Sequence, residues 1–246
     1  MTAEEAAIKF NDDLGKLFRR LGTAENLQGV ITTPYRNAAR AMRGQTGNVA
    51  ATEEVLAQLK KTIEGELSGL MDEAKSIGRE QAETTLQEYD IPIEEEEEED
   101  DEIILLALLA ILALLNSQIA AIKALVGSGA TEDMILGDGQ RVGALTPTPL
   151  NREITRWLAT VGVKTATDTM IGSLGDQRGD FVKQAVAVID ARTTKTCQRV
   201  NGQIRELNEP FELTSTPRYA DEMDGPPFHD YCRTTIAIRR RDEVEG

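Results

Sequence analysis

Thiols and imidazoles are almost missing from this chain: 246 residues carry two cysteines and one histidine. Two cysteines in a chain of this length exclude a disulfide framework. Aromatic residues are also scarce, 4% against 40% hydrophobic residues overall. That shortage argues against an aromatic-rich β-sandwich and for helices packed through Ala and Leu. Positive charge is in deficit. The formal net charge of −15 disfavours non-specific attraction to nucleic acid or to an anionic membrane surface. The run from Met1 to Asp13 lacks the basic and apolar stretches of a signal peptide. Synthesis in the cytosol, with reduced thiols, is the expectation that follows. Gly137-Asp138-Gly139 lacks both the spacing and the following Lys-Ser of a phosphate-binding loop, so no phosphate cradle is expected there.

What the chain does have is helical periodicity. Ile8, Leu14, Leu17, Phe18 and Leu21 recur near 3.6 residues before Gly22. Pro34, after Thr32-Thr33, opens a basic helix that stops at Gly44. Thr52 caps a third helix, with Val55, Leu56, Leu59, Ile63, Leu67, Leu70 and Met71 as its apolar stripe. Farther on, Asn151 is placed to cap a helix carrying Ile154, Trp157 and Leu158. Phe181, Val182, Ala185, Val186 and Ile189 suggest another helix. After Asp190 the texture changes to turns and short strands. Asn201-Gly202 signals a hairpin, and Thr234 to Ile238 suggests a closing strand. The expected fold is mainly α with a small C-terminal α+β element, in which amphipathic helices precede a loop-rich motif of short strands.

Two segments punctuate this order. Glu94 to Glu102 is an unbroken run of acidic residues, expected to be an extended, solvated linker because like charges repel. Ile103 to Leu115 is apolar throughout, and extended to Val126 it reaches the length of a bilayer span. Lys123 and the absence of a basic flank speak against that role. A helix buried in the chain's own bundle or between subunits is the main expectation, with a membrane-active segment as the alternative. Four regions result: helical 1–93, acidic linker 94–102, apolar helix and Gly/Pro-rich loop 103–149, and a C-terminal domain 150–246. The last is nearly neutral, with 14 basic and 15 acidic residues from Asn151 onward.

Cys197, His229 and Cys232 all fall in the last fifth of the chain. Three chemistries fit them. They could ligate a metal such as zinc, with Asp190, Asp230 or water as a fourth ligand. Either cysteine could act as a nucleophile with His229 as base. Or they fix a tight loop with no reaction at all. Asp190 and Arg192, one residue apart, would share a face on a strand, where the Arg192 fork could brace loop carbonyls or carboxylates; Arg233 could do the same from the other end of the loop.

The order of short elements in this region is distinctive. Asp190-x-Arg192-Thr193-x-x-x-Cys197 is followed by Asn201-Gly202-x-Ile204 and Pro210-Phe211. Pro226-Pro227-x-His229-x-x-Cys232-Arg233-x-Thr235 completes it. This series resembles the ending of the Mu F-like minor head protein family of tailed bacteriophages. The likeness covers about the last 60 residues and does not reach residues 1 to about 130. The family pattern often has cysteines where this chain has Thr194 and Thr234. Half of a possible four-cysteine site is therefore replaced, which favours a structural loop without a cofactor.

The resemblance implies a structural minor capsid protein, not an enzyme, held in the virion interior near the portal vertex after synthesis in the host cytoplasm. It would act in head morphogenesis, DNA packaging or genome ejection. Its implied partners are the portal protein, the major capsid protein or further copies of itself, without sequence-specific nucleic-acid binding. Membrane contact through residues 103–126 would be confined to ejection.

Overall fold

The computed structural model describes residues 1–21, 29–93, 98–137, 142–191, 193–213, 221–229 and 232–245, without the side chains of 98–101 and 245. The fold is mainly α with a small C-terminal sheet of short antiparallel strands. Helices α1 (Ala3–Leu21), α2 (Thr32–Met42), α3 (Val49–Glu88), α4 (Glu98–Gly127), α5 (Glu132–Leu136) and α6 (Thr148–Ser173) come first. A 3-10 turn, Gly175–Asp180, leads into β1 (Phe181–Ala187). Then follow α7 (Lys195–Val200), β2 (Ile204–Glu206), β3 (Phe211–Glu212), β4 (Glu222–Met223), β5 (Thr234–Arg240) and α8 (Arg241–Glu245).

The chain forms two compact units, neither continuous in sequence. One comprises residues 1–17, 71–104 and 155–246; the other comprises 18–70 and 105–154. These units cut across the linear regions 1–93, 94–102, 103–149 and 150–246 expected from composition. Composition changes where the chemistry of a segment changes, whereas compactness depends on which apolar faces meet.

In the first unit the helices approach closely through glycine. A Cβ at Gly78 of α3 would lie 2.3 Å from the carbonyl oxygen of Gly162 in α6. One at Gly162 would lie 3.2 Å from the Ala74 carbonyl. Phe10 and Leu14 of α1 pack into the same seam at 3.4 Å from that position. Against these helices sits a three-stranded antiparallel sheet of order β2-β1-β5. Ala82, Leu86, Ala166, Met170, Phe181, Ala185, Val200, Phe211, Ile236 and Ile238 share its buried core.

β1 corrects the expected helix over Phe181 to Ile189. Six of its seven residues are fully buried, so both strand faces are covered. Such a strand shows no alternation, and a short apolar run of this kind cannot be told from a buried helix by periodicity. Asn151, expected as a cap, lies inside α6, whose first turn begins at Thr148.

The second unit is helical. Gln118 of α4 ties the loop after α5 by donating to the carbonyls of Ala144 at 3.2 Å and Thr146 at 2.6 Å, and Tyr35 of α2 meets the same amide. The expected acidic linker is corrected in part. Glu98 to Glu102 open α4, where the helix dipole favours negative charge, while 94–97 lie outside the described residues. Ala107, Ile111, Leu115, Ile122 and Val126 are buried along one face of α4. Leu105, Leu106 and Leu109 are 56%, 50% and 56% exposed. The apolar helix is thus covered on one side by its own chain and uncovered on the other.

Candidate functional site

The candidate site lies in the first unit, where the loop after β1 meets the loop before β5. Thr193 closes the first loop. Its hydroxyl donates to the Val188 carbonyl at 2.7 Å and accepts from the Asp190 amide at 2.7 Å. Thr194 then caps α7, accepting from the Cys197 amide at 3.3 Å. This short helix turns Thr196, Cys197 and Val200 inward, where all three are buried.

Asn201-Gly202 is a turn, as expected, but it joins a helix to a strand and not two strands of a hairpin. Gly202 takes a left-handed conformation with φ +81°, and its amide donates to the Ala185 carbonyl at 2.8 Å. The Asn201 side chain accepts from the Ala187 amide at 2.8 Å. The turn therefore folds back on the end of β1. Asx chemistry and left-handed glycine serve that purpose as well as a hairpin.

On the other side, Pro226-Pro227 is joined by a cis peptide bond, and Phe228 enters the core edge-on to Phe211 with centroids 6.0 Å apart. Lys183 of β1 steadies this loop from beneath. Its ammonium donates to the Asp224 carbonyl at 2.7 Å and lies 5.1 Å from the centroid of the Phe211 ring. Burial pushes the Lys183 ammonium below its ordinary range.

The two loops lock together. Arg233 donates to the Asp190 carboxylate at 2.7 Å, with both side chains largely shielded. His229 Nε2 is 2.8 Å from Cys197 Sγ and 2.9 Å from the Thr194 hydroxyl. Cys232 Sγ lies 3.7 Å from Cys197 Sγ, and both cysteines are free and buried. Cys197, His229 and Cys232, separate in sequence, meet in one cluster. Arg233, paired with Asp190, lines the cavity beside it, while Asn201 and Gly202 dock on β1 and Pro226-Pro227 precedes His229 in the second loop. Arg192 and Asp230 lie outside the described residues, as do Asp138 and Gly139 of the glycine-rich loop.

The two thiols are inequivalent. The neighbouring Cys232 thiol, with His229 and Thr194, holds the Cys197 thiol well below its ordinary range against the opposing effect of burial. Burial pushes Cys232 up, and the neighbouring Cys197 adds to this. Beside Cys197 and His229 is a part-open cavity of about 10 Å³, bounded also by Val188, Thr193, Thr194 and Arg233 among others. This cavity is far smaller than ligand pockets, which run to roughly 300–1,000 Å³. A single atom or water fits. A more open groove of about 460 Å³ runs past Arg156, Trp157, Thr160, Pro227, Phe228 and His229.

Sequence reasoning passed over Thr194 as a contributor. Its signal was present, since a threonine three residues before Cys197 is an N-cap candidate that aims its hydroxyl at the first helical turn. It also passed over Gln81 in α3. This amide donates to the Ile236 carbonyl at 2.6 Å and accepts from the Thr235 hydroxyl at 3.1 Å, bracing the strand that follows Cys232. Nothing local in the sequence links residues so far apart. Comparison of the chain with protein-family models, curated proteins and solved structures gave no match.

Proposed function

We propose that this protein is a structural minor capsid protein of a tailed bacteriophage, acting near the portal vertex in head morphogenesis, DNA packaging or ejection. The observation that carries the reading is the division of labour among the residues of the family-like motif. Thr193 and Thr194 shape and cap, Asn201-Gly202 docks on β1, Arg233 pairs with Asp190, Thr235 is held by Gln81, and Cys197, His229 and Cys232 meet between the loops. Each residue named here ties a loop to another loop, to α7 or to the sheet. A motif spent on holding a shape suits a docking module of an assembly better than an enzyme. Its partners are then the portal protein, the major capsid protein or further copies of the chain.

The test is to purify particles from an induced lysate and identify their proteins by mass spectrometry, with and without this gene. The reading expects the chain in wild-type particles at low copy number, and particles of reduced infectivity without it. Absence of the chain from purified particles would refute it.

The exposed face of α4 favours a second reading, that of an ejection protein acting on membranes. Glu102 to Gly127 is long and apolar enough to cross a bilayer, with mean hydropathy 2.4 over its best window and 28% of that window buried. Dye release from liposomes by the full chain would support this reading. A full chain that leaves liposomes intact would oppose it.

A further inference from the structure

We propose that Cys197, His229 and Cys232 hold one thiophilic divalent cation, zinc in the cell, as a clamp between α7 and the loop that precedes β5. The inference stands apart from the capsid reading, because it depends only on donor chemistry and spacing.

Three soft or borderline donor atoms lie within 4.8 Å of one another. They are the chain's only histidine and both of its cysteines, drawn together across 32 and 35 residues of sequence. Tetrahedral zinc with Zn–S bonds of about 2.3 Å places two thiolate sulfurs roughly 3.8 Å apart. The Cys197 and Cys232 sulfurs are 3.7 Å apart. That spacing is already the edge of such a tetrahedron. It is much longer than a disulfide bond, which requires sulfurs about 2.05 Å apart. The matching sulfur-to-nitrogen edge is roughly 3.5 Å, from Zn–S and Zn–N distances of about 2.3 and 2.0–2.1 Å. The thiol–imidazole hydrogen bond between Cys197 and His229 is shorter, 2.8 Å. His229 would retreat by about 0.7 Å as the ion replaces the shared proton.

The fourth position is supplied for. The cavity of about 10 Å³ touches Cys197, His229 and Thr194, whose hydroxyl lies 2.9 Å from His229 Nε2. A single water there, or the Thr194 oxygen, completes four-coordination. Charge is balanced as well. Two thiolates neutralise a dication, their protons leaving to solvent as the metal binds. The nearby Arg233 guanidinium is held by the Asp190 carboxylate. Both cysteines are buried, which shields from solvent the sulfurs of such a site.

The test is elemental analysis of the full chain purified without chelators. About one zinc per chain is expected, with loss of the metal in His229→Ala and in Cys232→Ser. A buried Ser at 232 could unfold the loop for other reasons, so the wild-type chain is also stripped and titrated with cobalt(II). Intense visible bands of tetrahedral cobalt, with thiolate-to-cobalt charge transfer in the near ultraviolet, are expected at one equivalent. Thr194→Cys, which places a third thiol at the fourth position, should make the ion harder to remove by a competing chelator. Wild-type protein with less than about one metal in ten chains, and stripped protein giving no cobalt bands, would overturn the proposal.

Discussion

Gln81→Met is the substitution that most sharply tests how the sheet is held. β5 is an edge strand of the three-stranded sheet. Val188 donates to the Arg233 carbonyl, and counting along the β1–β5 register in steps of two puts Ile236 among the pairs whose backbone groups point away from β1. Gln81 answers that outward carbonyl and takes the Thr235 hydroxyl as well. Methionine keeps the length and most of the volume of the side chain, so packing changes little. It removes both polar partners, leaving two groups at residues that are 1% and 0% exposed. Each stranded buried group costs about 1–3 kcal/mol, so a loss of roughly 2–5 kcal/mol is expected. For a chain of this size that lowers the melting temperature by roughly 5–15 °C. The single tryptophan, Trp157, belongs to the same compact unit, so its fluorescence follows the relevant transition during heating. A melting temperature within about 2 °C of wild type would show that the edge is not sealed by this amide.

Gly78→Ala places its Cβ 2.3 Å from the Gly162 carbonyl oxygen and should cost about 1–3 kcal/mol by urea unfolding. Gly69→Ala, in the same helix with nothing within 4 Å, should instead stabilise by up to about 1 kcal/mol. The Tyr89 hydroxyl, near Ile238 and Glu243, is pushed up from 10.0 to about 12, chiefly by burial. A phenol whose folded value is raised contributes stability that is full below pH 10 and is lost as the pH rises from 10 to 12. Urea titrations across that range should show the loss, and Tyr89→Phe should flatten it. Leu105→Ser with Leu109→Ser should reduce self-association in sedimentation while leaving the melting temperature nearly unchanged, because both sites are exposed. Ile111→Ala, on the buried face, should cost about 2–5 kcal/mol.

The helices were legible because amphipathic periodicity survives in α1, α2 and α3, and Thr234 to Ile238 gave away β5 through its β-branched residues. β1 was not, since a strand covered on both faces loses the alternation that identifies it. The meeting of Cys197, His229 and Cys232 was legible from their rarity and their nearness to two turns. The pairing of Asp190 with Arg233, across 43 residues, was not resolved by spacing, which offered Arg192 equally. The partition into units was hidden for another reason. Composition marks segments, and nothing in it states that residues 71–104 complete a core begun by residues 1–17.

That partition also governs the order in which the chain matures on the ribosome. The unit formed by 18–70 and 105–154 has all its residues once position 154 is made. The other must wait for β1 and β5, although Ala3, Ala7, Ala82 and Leu86 of the core it shares with the sheet were made long before. During that interval their apolar faces lack the sheet that will cover them, so nascent chains and C-terminal truncations are the species most exposed to aggregation and most in need of a chaperone. Quality control is thereby written into connectivity: only a chain translated through β5 can complete the core that Ala3 and Ala7 of its earliest helix share with the sheet.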